Sequence, residues 1–222
     1  MSRDFPTFAH EIELWNEGYS VIGIDEVGRG AFAGPVYVSG VAFTPQTDLK
    51  EIERIYDLKI NDSKKLTALK RATLSSLIQK ENLLHSTKSI DSTVINTSGI
   101  MNSLSQAVVQ VTEELIAKLP QKKVFILLDG NDNPYKNDTN TYNYRNIIKG
   151  DSISLSIAAA SILAKVARDT HMTELSPEYP HYQWDKNKGY GTLDHRKAIK
   201  QYGESPQHRV LYLRKLKDTL TI

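Results

Sequence analysis

The stretch SVIGIDEVGRGAFAGPVYVSGVAF, Ser20 to Phe43, decides the architecture. Ser20–Asp25 and Pro35–Phe43 are short, β-branched and bounded by breakers, so each reads as a buried strand. Two consecutive strands joined by a tight Gly-rich link predict a hairpin. Further along, KVFILL (Lys123–Leu128) is the strongest strand signal in the chain, a continuous apolar run that stops at Asp129-Gly130-Asn131. Between these, Leu66, Leu69, Ala72, Leu77 and Ile78 recur at helical spacing over Lys64–Glu81, and Leu83–Ile90 reads as a strand. Thr97 or Ser98 caps a helix running to about Leu119, which Pro120 stops. Tyr144–Lys149 is a further short strand. Asp151 then opens the helix SISLSIAAASILAKVARD, whose Ala158, Ala159, Ser161, Ala164 and Ala167 allow close packing on a sheet. An early hairpin followed by helix-linked strands predicts an α/β or α+β sheet with flanking helices, and beyond Pro177 the pattern becomes a helical appendage rich in Tyr, Lys and His.

A chain of 222 residues and 25.0 kDa suits one domain. Hydrophobic residues at 40% and charged residues at 24% fit a packed core and exclude disorder throughout or a fibrous repeat. The absence of cysteine removes disulfides, zinc-thiolate sites, iron–sulfur clusters and thiol catalysis together. Met1–His10 has no secretory pattern, and no apolar run approaches the ~18 residues of a membrane span, so a cytoplasmic protein without membrane contact is expected. The net charge of +2 hides an asymmetry. Residues 181–222 carry nine Lys/Arg against four acids, which leaves +5 there and −3 elsewhere. A basic tail on a mildly acidic body suits a polyanionic partner, with a solvated helix surface as the alternative.

Four carboxylates adjoin the apolar segments: Asp25 and Glu26 after the first strand, Asp129 after the strongest, and Asp151 at the start of the small-residue helix. Each alone reads more readily as solvated punctuation or a cap than as a functional group. Held close together they repel unless a cation neutralises them, and an oxygen-only set favours Mg²⁺ or Mn²⁺. Neighbours on a strand face opposite ways, so Asp25 and Glu26 share one ion only if the strand twists or ends there, and Gly28-Arg29-Gly30 supplies an ending. That turn is either a plain turn or a place where a ligand reaches backbone amides unobstructed. Asp129-Gly-Asn131-Asp-Asn133 imitates the start of an EF-hand loop but has Pro134 where Gly is required and Asn140 where Glu is required. His181, His195 and His208 lie too far apart in sequence to suggest a metal cluster. Asp62-Ser63-Lys64-Lys65 puts two cations at a helix start, and Asn187-Lys188-Gly189-Tyr190-Gly191-Thr192 sets an aromatic ring among glycines beside a basic residue, either for stacking or as a buried turn.

Taken in order, GIDEVGRG (Gly23–Gly30), AGPV (Ala33–Val36), DSKKL (Asp62–Leu66), LDGN (Leu128–Asn131), KGDSISLSIAAASILAKVARD (Lys149–Asp169), NKGYGT (Asn187–Thr192), His195 and His208-Arg209 resemble the bacterial ribonuclease HII family over about Val21–Arg209. Gly-Arg-Gly separates the chain from ribonuclease HIII, whose turn looks like Gly-Lys-Gly. After His208-Arg209, Val-Leu-Tyr-Leu replaces the family's Ser-Phe-like ending, and Lys215–Ile222 has no counterpart.

The resemblance implies an α/β ribonuclease H-like fold: a mixed five-stranded sheet flanked by helices, with a core over about 18–175 and a C-terminal helical segment over about 176–222, all one catalytic domain. It implies that Asp25, Glu26, Asp129 and Asp151 are the catalytic, metal-binding acids for two Mg²⁺ or Mn²⁺ ions. Gly28, Arg29 and Gly30 would recognise the ribose 2′-hydroxyl, and Tyr190 the next sugar. Lys64, Lys65, Asn96, Lys165 and Arg168 complete the implied substrate contacts. The implied enzyme is a monomeric type 2 ribonuclease H that cuts RNA–DNA hybrids and duplex DNA carrying one ribonucleotide, on the 5′ side of the ribonucleotide, leaving a 3′-hydroxyl and a 5′-phosphate. Its competitors are a non-catalytic hybrid-binding module and another nuclease on the same fold.

Neutralising Lys215 and Lys217 together is expected to weaken hybrid binding and flatten its salt dependence, since fewer counterions are released. Equal slopes of affinity against salt for variant and parent would show that this end of the chain stays off the nucleic acid.

Overall fold

Five strands form one mixed sheet in the order β3-β2-β1-β4-β5 in the computed structural model of the chain, which describes residues 5–43, 60, 63–80, 83–120, 123–136 and 138–218, without the side chains of Lys65 and residues 215–218. The expected hairpin is its centre: β1 (Ser20–Val27) runs antiparallel to β2 (Val36–Phe43), from Val21 opposite Phe43 to Val27 opposite Tyr37. β3 (Leu84–Ile90) adds antiparallel to β2. On the other side β4 (Val124–Asp129) lies parallel to β1, from Ser20 opposite Val124 to Ile24 opposite Leu128, and β5 (Asn143–Ile147) lies parallel to β4.

The helices, in chain order, are α1 (Ala9–Asn16), α2 (Ala68–Lys80), α3 (Ser92–Ser98), α4 (Ile100–Lys118), α5 (Leu155–Leu175), α6 (Trp184–Asn187), α7 (Leu193–Tyr202) and α8 (Val210–Asp218). None of them is long and apolar enough to cross a membrane. Strand alternation assigns the two faces of the sheet. Ile22, Ile24, Val38, Ile126 and Leu128 pack against Leu104, Val108, Val111 and Leu115 of α4. The opposite face carries α5, where Val41 and Phe43 meet Ala158–Ala160 and Ile162, and Val21 and Leu127 meet Ile157. Two glycines let the helices close in. A Cβ on Gly40 would stand 2.6 Å from the Val111 side chain, and one on Gly23 would stand 2.3 Å from the backbone of Ser156. A third cluster, Ala33, Met172, Tyr182, Trp184, Ala198, Ile199 and Leu213, joins α6, α7 and α8 to the end of α5.

Several boundaries differ from the sequence reading. Thr97 and Ser98 are the last residues of α3, not caps of α4, whose N-terminal residue follows Gly99 without a side-chain cap. Serine and threonine suit a cap chemically, but the glycine between the helices, at φ 79°, makes the break. Asp151 does not open α5. It sits in a separate 3₁₀ turn, Gly150–Ser152, and the helix begins three residues later with Ser154 accepting the Ile157 amide. Glu11 of α1 completes that start: fully buried, its Oε1 accepts from the Ser154 hydroxyl (2.6 Å), the Ser156 hydroxyl (2.7 Å) and the Ser156 amide (3.0 Å). A carboxylate there also suits the positive end of the helix dipole. In α2 the buried side chains are Leu74, Ser75 and Ile78, while Leu69 is 80% exposed. Asp62 and Glu81, parts of two sequence expectations, lie outside the described residues.

Gly23→Ala is expected to destabilise the fold by roughly 1–3 kcal/mol, because its methyl would meet the backbone of α5, which yields less readily than a side chain. The measurement is the denaturant midpoint; an unchanged midpoint would mean that α5 does not close on β1 at this point.

Candidate active site

The parallel pairing of β1 with β4 places the first two acids. Its last pair is Ile24 opposite Leu128, so Asp25 and Asp129, one residue further on, end neighbouring strands side by side. Both share the α5 side of the sheet. Asp25 is 5% exposed and takes the amide of Glu26 on Oδ1 at 2.7 Å. Asp129 accepts the amide of Gly150 at 2.7 Å, which draws the 3₁₀ turn carrying Asp151 against the end of β4. Asp151 is 4% exposed, with Lys64 Nζ 3.4 Å from its Oδ2. Glu26 alternates to the other side of β1 and borders a hollow beneath α4 together with Leu104, Asp129 and Asp132, and it also lines the cleft beside Asp25. The strand continues to Val27, so the acids are brought together around its C-terminal end and not by an early stop.

Electrostatics follow from that crowding. Burial lifts the Asp25 carboxyl well above its usual range, and the charges of Glu26 and Asp129 add to the effect. Burial also raises Glu26, opposed by the Arg29 guanidinium and assisted by Asp129 and Asp132. Among the described residues, no group of three or more acidic or histidine side chains is arranged so that it could hold a metal ion. The donor chemistry nonetheless fits a hard divalent cation: the oxygens are carboxylate, clustered, and costly to ionise together without positive charge.

Beside the acids, Gly28-Arg29-Gly30 turns away from β1. Gly28 has φ 92°, and a Cβ there would stand 2.1 Å from Arg168 Nε, so only glycine fits. The carbonyls of the turn face the protein. Arg209 Nη1 donates to the Gly28 carbonyl (2.7 Å) and the Arg29 carbonyl (3.0 Å), and the Tyr212 hydroxyl donates to the Arg29 carbonyl (2.7 Å). Among the described residues the amides of Arg29 and Gly30 have no hydrogen-bond partner. The Arg29 side chain instead reaches toward the acids, pairing with Asp132 and lying 3.8 Å from Glu26. Across the cleft from Asp25 and Gly30 stands Tyr190, half-buried, with Lys165 at its rim.

The remaining expected contacts divide. Lys64 and Lys165 line the cleft, although Lys165 Nζ also pairs with Asp169 at 2.7 Å. Arg168 is fully buried and gives its guanidinium to the carbonyls of Pro35 (3.0 Å) and Ala33 (3.2 Å), with its charge 5.0 Å from the centre of the Tyr190 ring. It therefore supports the cleft from behind. Asn96 uses both ends of its amide on the C-terminal segment, donating to the His208 carbonyl and accepting the Val210 amide, each at 2.9 Å. The side chain of Lys65 lies outside the described residues.

Sequence reasoning assigned no role to Arg209, Tyr212, His195, His208 or Asp132. His195 and His208, far apart in sequence, meet at 3.2 Å between their Nε2 atoms, and the neighbours fix their protons. The Ser205 amide donates to His208 Nδ1, so the proton of His208 lies on Nε2 and is donated to His195. Trp184 Nε1 donates to the same His195 nitrogen at 3.1 Å, which leaves the His195 proton on Nδ1 for the Tyr190 carbonyl at 3.0 Å. Both rings must be neutral. Burial and the neighbouring His195 push His208 down to about 4, and burial lowers His195.

The ribonuclease HII family model matches residues 22–215. A curated ribonuclease HII of Caldicellulosiruptor bescii is 40% identical over 217 residues, covering 97% of this chain and 98% of that protein. One of Rickettsia bellii is 40% identical over 198 residues, covering 89% and 92%. The chain belongs to the ribonuclease HII family. It is a type 2 ribonuclease H, a hydrolase and nuclease of a family that acts on RNA–DNA hybrids. Solved structures bear out the fold: ribonuclease HII of the Archaeoglobus fulgidus PCNA complex superposes with a TM-score of 0.70 at 23% identity, covering 91% of this chain and 97% of that one. Bst-RNase HIII in complex with Mn²⁺ does so with 0.73 at 20%, covering 91% and 70%.

Since the folded-state pKa of His208 lies below its unfolded value near 6.5, the unfolded chain binds more protons between the two. The neutral relay therefore contributes stability that is present above about pH 6.5 and is lost as pH falls toward about 4. His208→Gln is expected to flatten the denaturant midpoint against pH in that window; parallel curves for variant and parent would remove His208 as a source of the slope.

Proposed function

We propose that this ribonuclease HII hydrolyses duplex DNA at a single embedded ribonucleotide as well as RNA in hybrids. The cut falls on the 5′ side of the ribonucleotide: a water oxygen joins phosphorus, the bond to the preceding 3′-oxygen breaks, and the products are a 3′-hydroxyl and a 5′-phosphate. The observation that carries the reading is the juxtaposition of Asp25 and Asp129 near the C-terminal ends of adjacent strands, beside the amides of Arg29 and Gly30, which have no partner among the described residues.

Asp25, Glu26, Asp129 and Asp151 are the residues that would hold two Mg²⁺ or Mn²⁺ ions. When bound, such ions lower the pKa of water and stabilise a departing oxygen. The chain's own part is positioning. Partly buried hydrogen bonds from the Glu26 and Gly150 amides orient Asp25 and Asp129 before substrate arrives. The amides of Gly28-Arg29-Gly30 donate to a 2′-hydroxyl, which deoxyribose lacks. Tyr190, its ring backed by Arg168, packs on the following sugar and leaves little room for a hydroxyl there, so a ribose followed by a deoxyribose suffices. Lys64 and Lys165 at the cleft rim attract phosphates.

The test is to incubate the protein with duplex DNA carrying one ribonucleotide, in Mg²⁺ or Mn²⁺, and map the cut. Cleavage at the 5′ side of the ribonucleotide is expected, and Asp25→Asn is expected to lower the rate by at least roughly a hundredfold while the fold persists, since Asn keeps the shape but not the charge. Binding without metal-dependent cleavage would favour a hybrid-binding module, and parent-like turnover in Asp25→Asn would remove that residue from the metal set.

A further inference from the structure

The segment from Gln207 to Tyr212 is hydrogen-bonded along its length to residues almost the whole chain away. The Gly34 amide donates to the Gln207 carbonyl (2.9 Å), the Arg209 amide to the Phe32 carbonyl (2.7 Å), and His208 forms a bridge with Ala33. Phe32 and Ala33 in turn donate to the Gly189 carbonyl, next to Tyr190. One short stretch thus touches both walls of the cleft. Its grip on Gly28-Arg29-Gly30 has a directional consequence, because a trans peptide points its N–H opposite to its C=O. Arg209 and Tyr212 hold the carbonyls of Gly28 and Arg29 inward, so the amides of Arg29 and Gly30, which share those two peptide planes, face away from the tail.

We infer that Tyr212 is a positioning residue for recognition of the ribonucleotide: its hydroxyl, bonded to the Arg29 carbonyl, fixes the peptide plane whose N–H belongs to Gly30 and so aims that donor into the cleft. The inference rests on the proposed reading of this turn as the 2′-hydroxyl sensor. Arg209 shares the carbonyl but is fully buried and also holds Gly28 and Gly34, so it serves the fold at large. Tyr212 is half-buried; its hydroxyl bonds the Arg29 carbonyl and adjoins the Arg209 guanidinium, but it is not bonded to the carbonyl of Gly28 or Gly34 among the described residues. It comes from the helix α8, where Val-Leu-Tyr-Leu stands in place of the ending expected from the sequence motifs, although the ribonuclease HII family model still matches through residue 215.

The experiment uses the full chain in an Asp25→Asn background, so that substrate survives, and measures equilibrium affinity for two duplexes of identical sequence, one all DNA and one with a single ribonucleotide. The readout is the ratio of the two affinities. Tyr212→Phe keeps the ring and removes only the hydroxyl; it is expected to lower the ratio roughly two- to tenfold, the worth of one hydrogen bond, with affinity for the all-DNA duplex and melting temperature unchanged. Gly30→Ala tests the underlying reading separately. Among the described residues, nothing beyond its chain neighbours lies within 4 Å of the added methyl, so the substitution is expected to leave the fold intact while it obstructs the approach to the amide, and the ratio is expected to collapse. If Gly30→Ala collapses the ratio and Tyr212→Phe leaves it at the parent value, Tyr212 has no positioning role and the sensor reading stands. If Gly30→Ala also keeps the parent ratio, the turn is not the sensor, and both ideas fall.

Discussion

Everything near the cleft depends on the register between two parallel strands in the middle of the sheet. With Ile24 opposite Leu128, Asp25 and Asp129 must emerge together at the same edge. A slip of one residue would turn one of them to the opposite face, into the apolar contact with α4. The register is held by burial on both sides: Ile22, Ile24, Ile126 and Leu128 against α4, and Val21 and Leu127 against Ile157 of α5. Gly23 permits the second contact by letting the α5 backbone approach where a side chain would stand. Packing thus fixes two carboxylates whose mutual repulsion would otherwise separate them.

The second wall is built from charge where the first is built from hydrocarbon. Arg168 and Arg209 are both fully buried, and burial, assisted by the like charge of Arg168, brings Arg209 down to about 10. Backbone carbonyls of Gly28, Arg29, Ala33, Gly34 and Pro35 compensate most of that cost, yet Arg168 Nη1 and Arg209 Nη2 have no partner among the described residues. Substituting either buried guanidinium would leave several carbonyls unsatisfied at once. The arrangement ties the Gly-rich turn down through its carbonyls, as the proposed recognition of a single hydroxyl would need, since a mobile turn would lose discrimination to entropy. On the far side the neutral pair His195 and His208 does the same for the backbone of Tyr190 without introducing another charge.

Much of this was legible in the sequence. The five strands and the small-residue helix were visible because apolar runs bounded by Gly, Pro and Asn report burial locally, and the four acids stood out because each interrupts such a run. The helix starts were misplaced at Thr97 and Asp151, where residues with capping chemistry lie close to a boundary that other residues make: Gly99 in one case, Ser154 with Glu11 in the other. Asp132 lies in a loop that imitates a calcium site and fails as one, which hides in the sequence its pairing with Arg29.

By itself the sequence determined the family, the sheet-forming segments and which acids adjoin them, because short motifs and periodicity are properties of neighbouring residues. Only the tertiary structure decided which face each acid takes, that Glu11 starts α5, that His195 meets His208, and that Tyr212 reaches Arg29 across 183 residues. Such contacts carry no periodic signal. They exist because buried carbonyls, imidazoles and carboxylates must find partners wherever the folded chain brings one within reach.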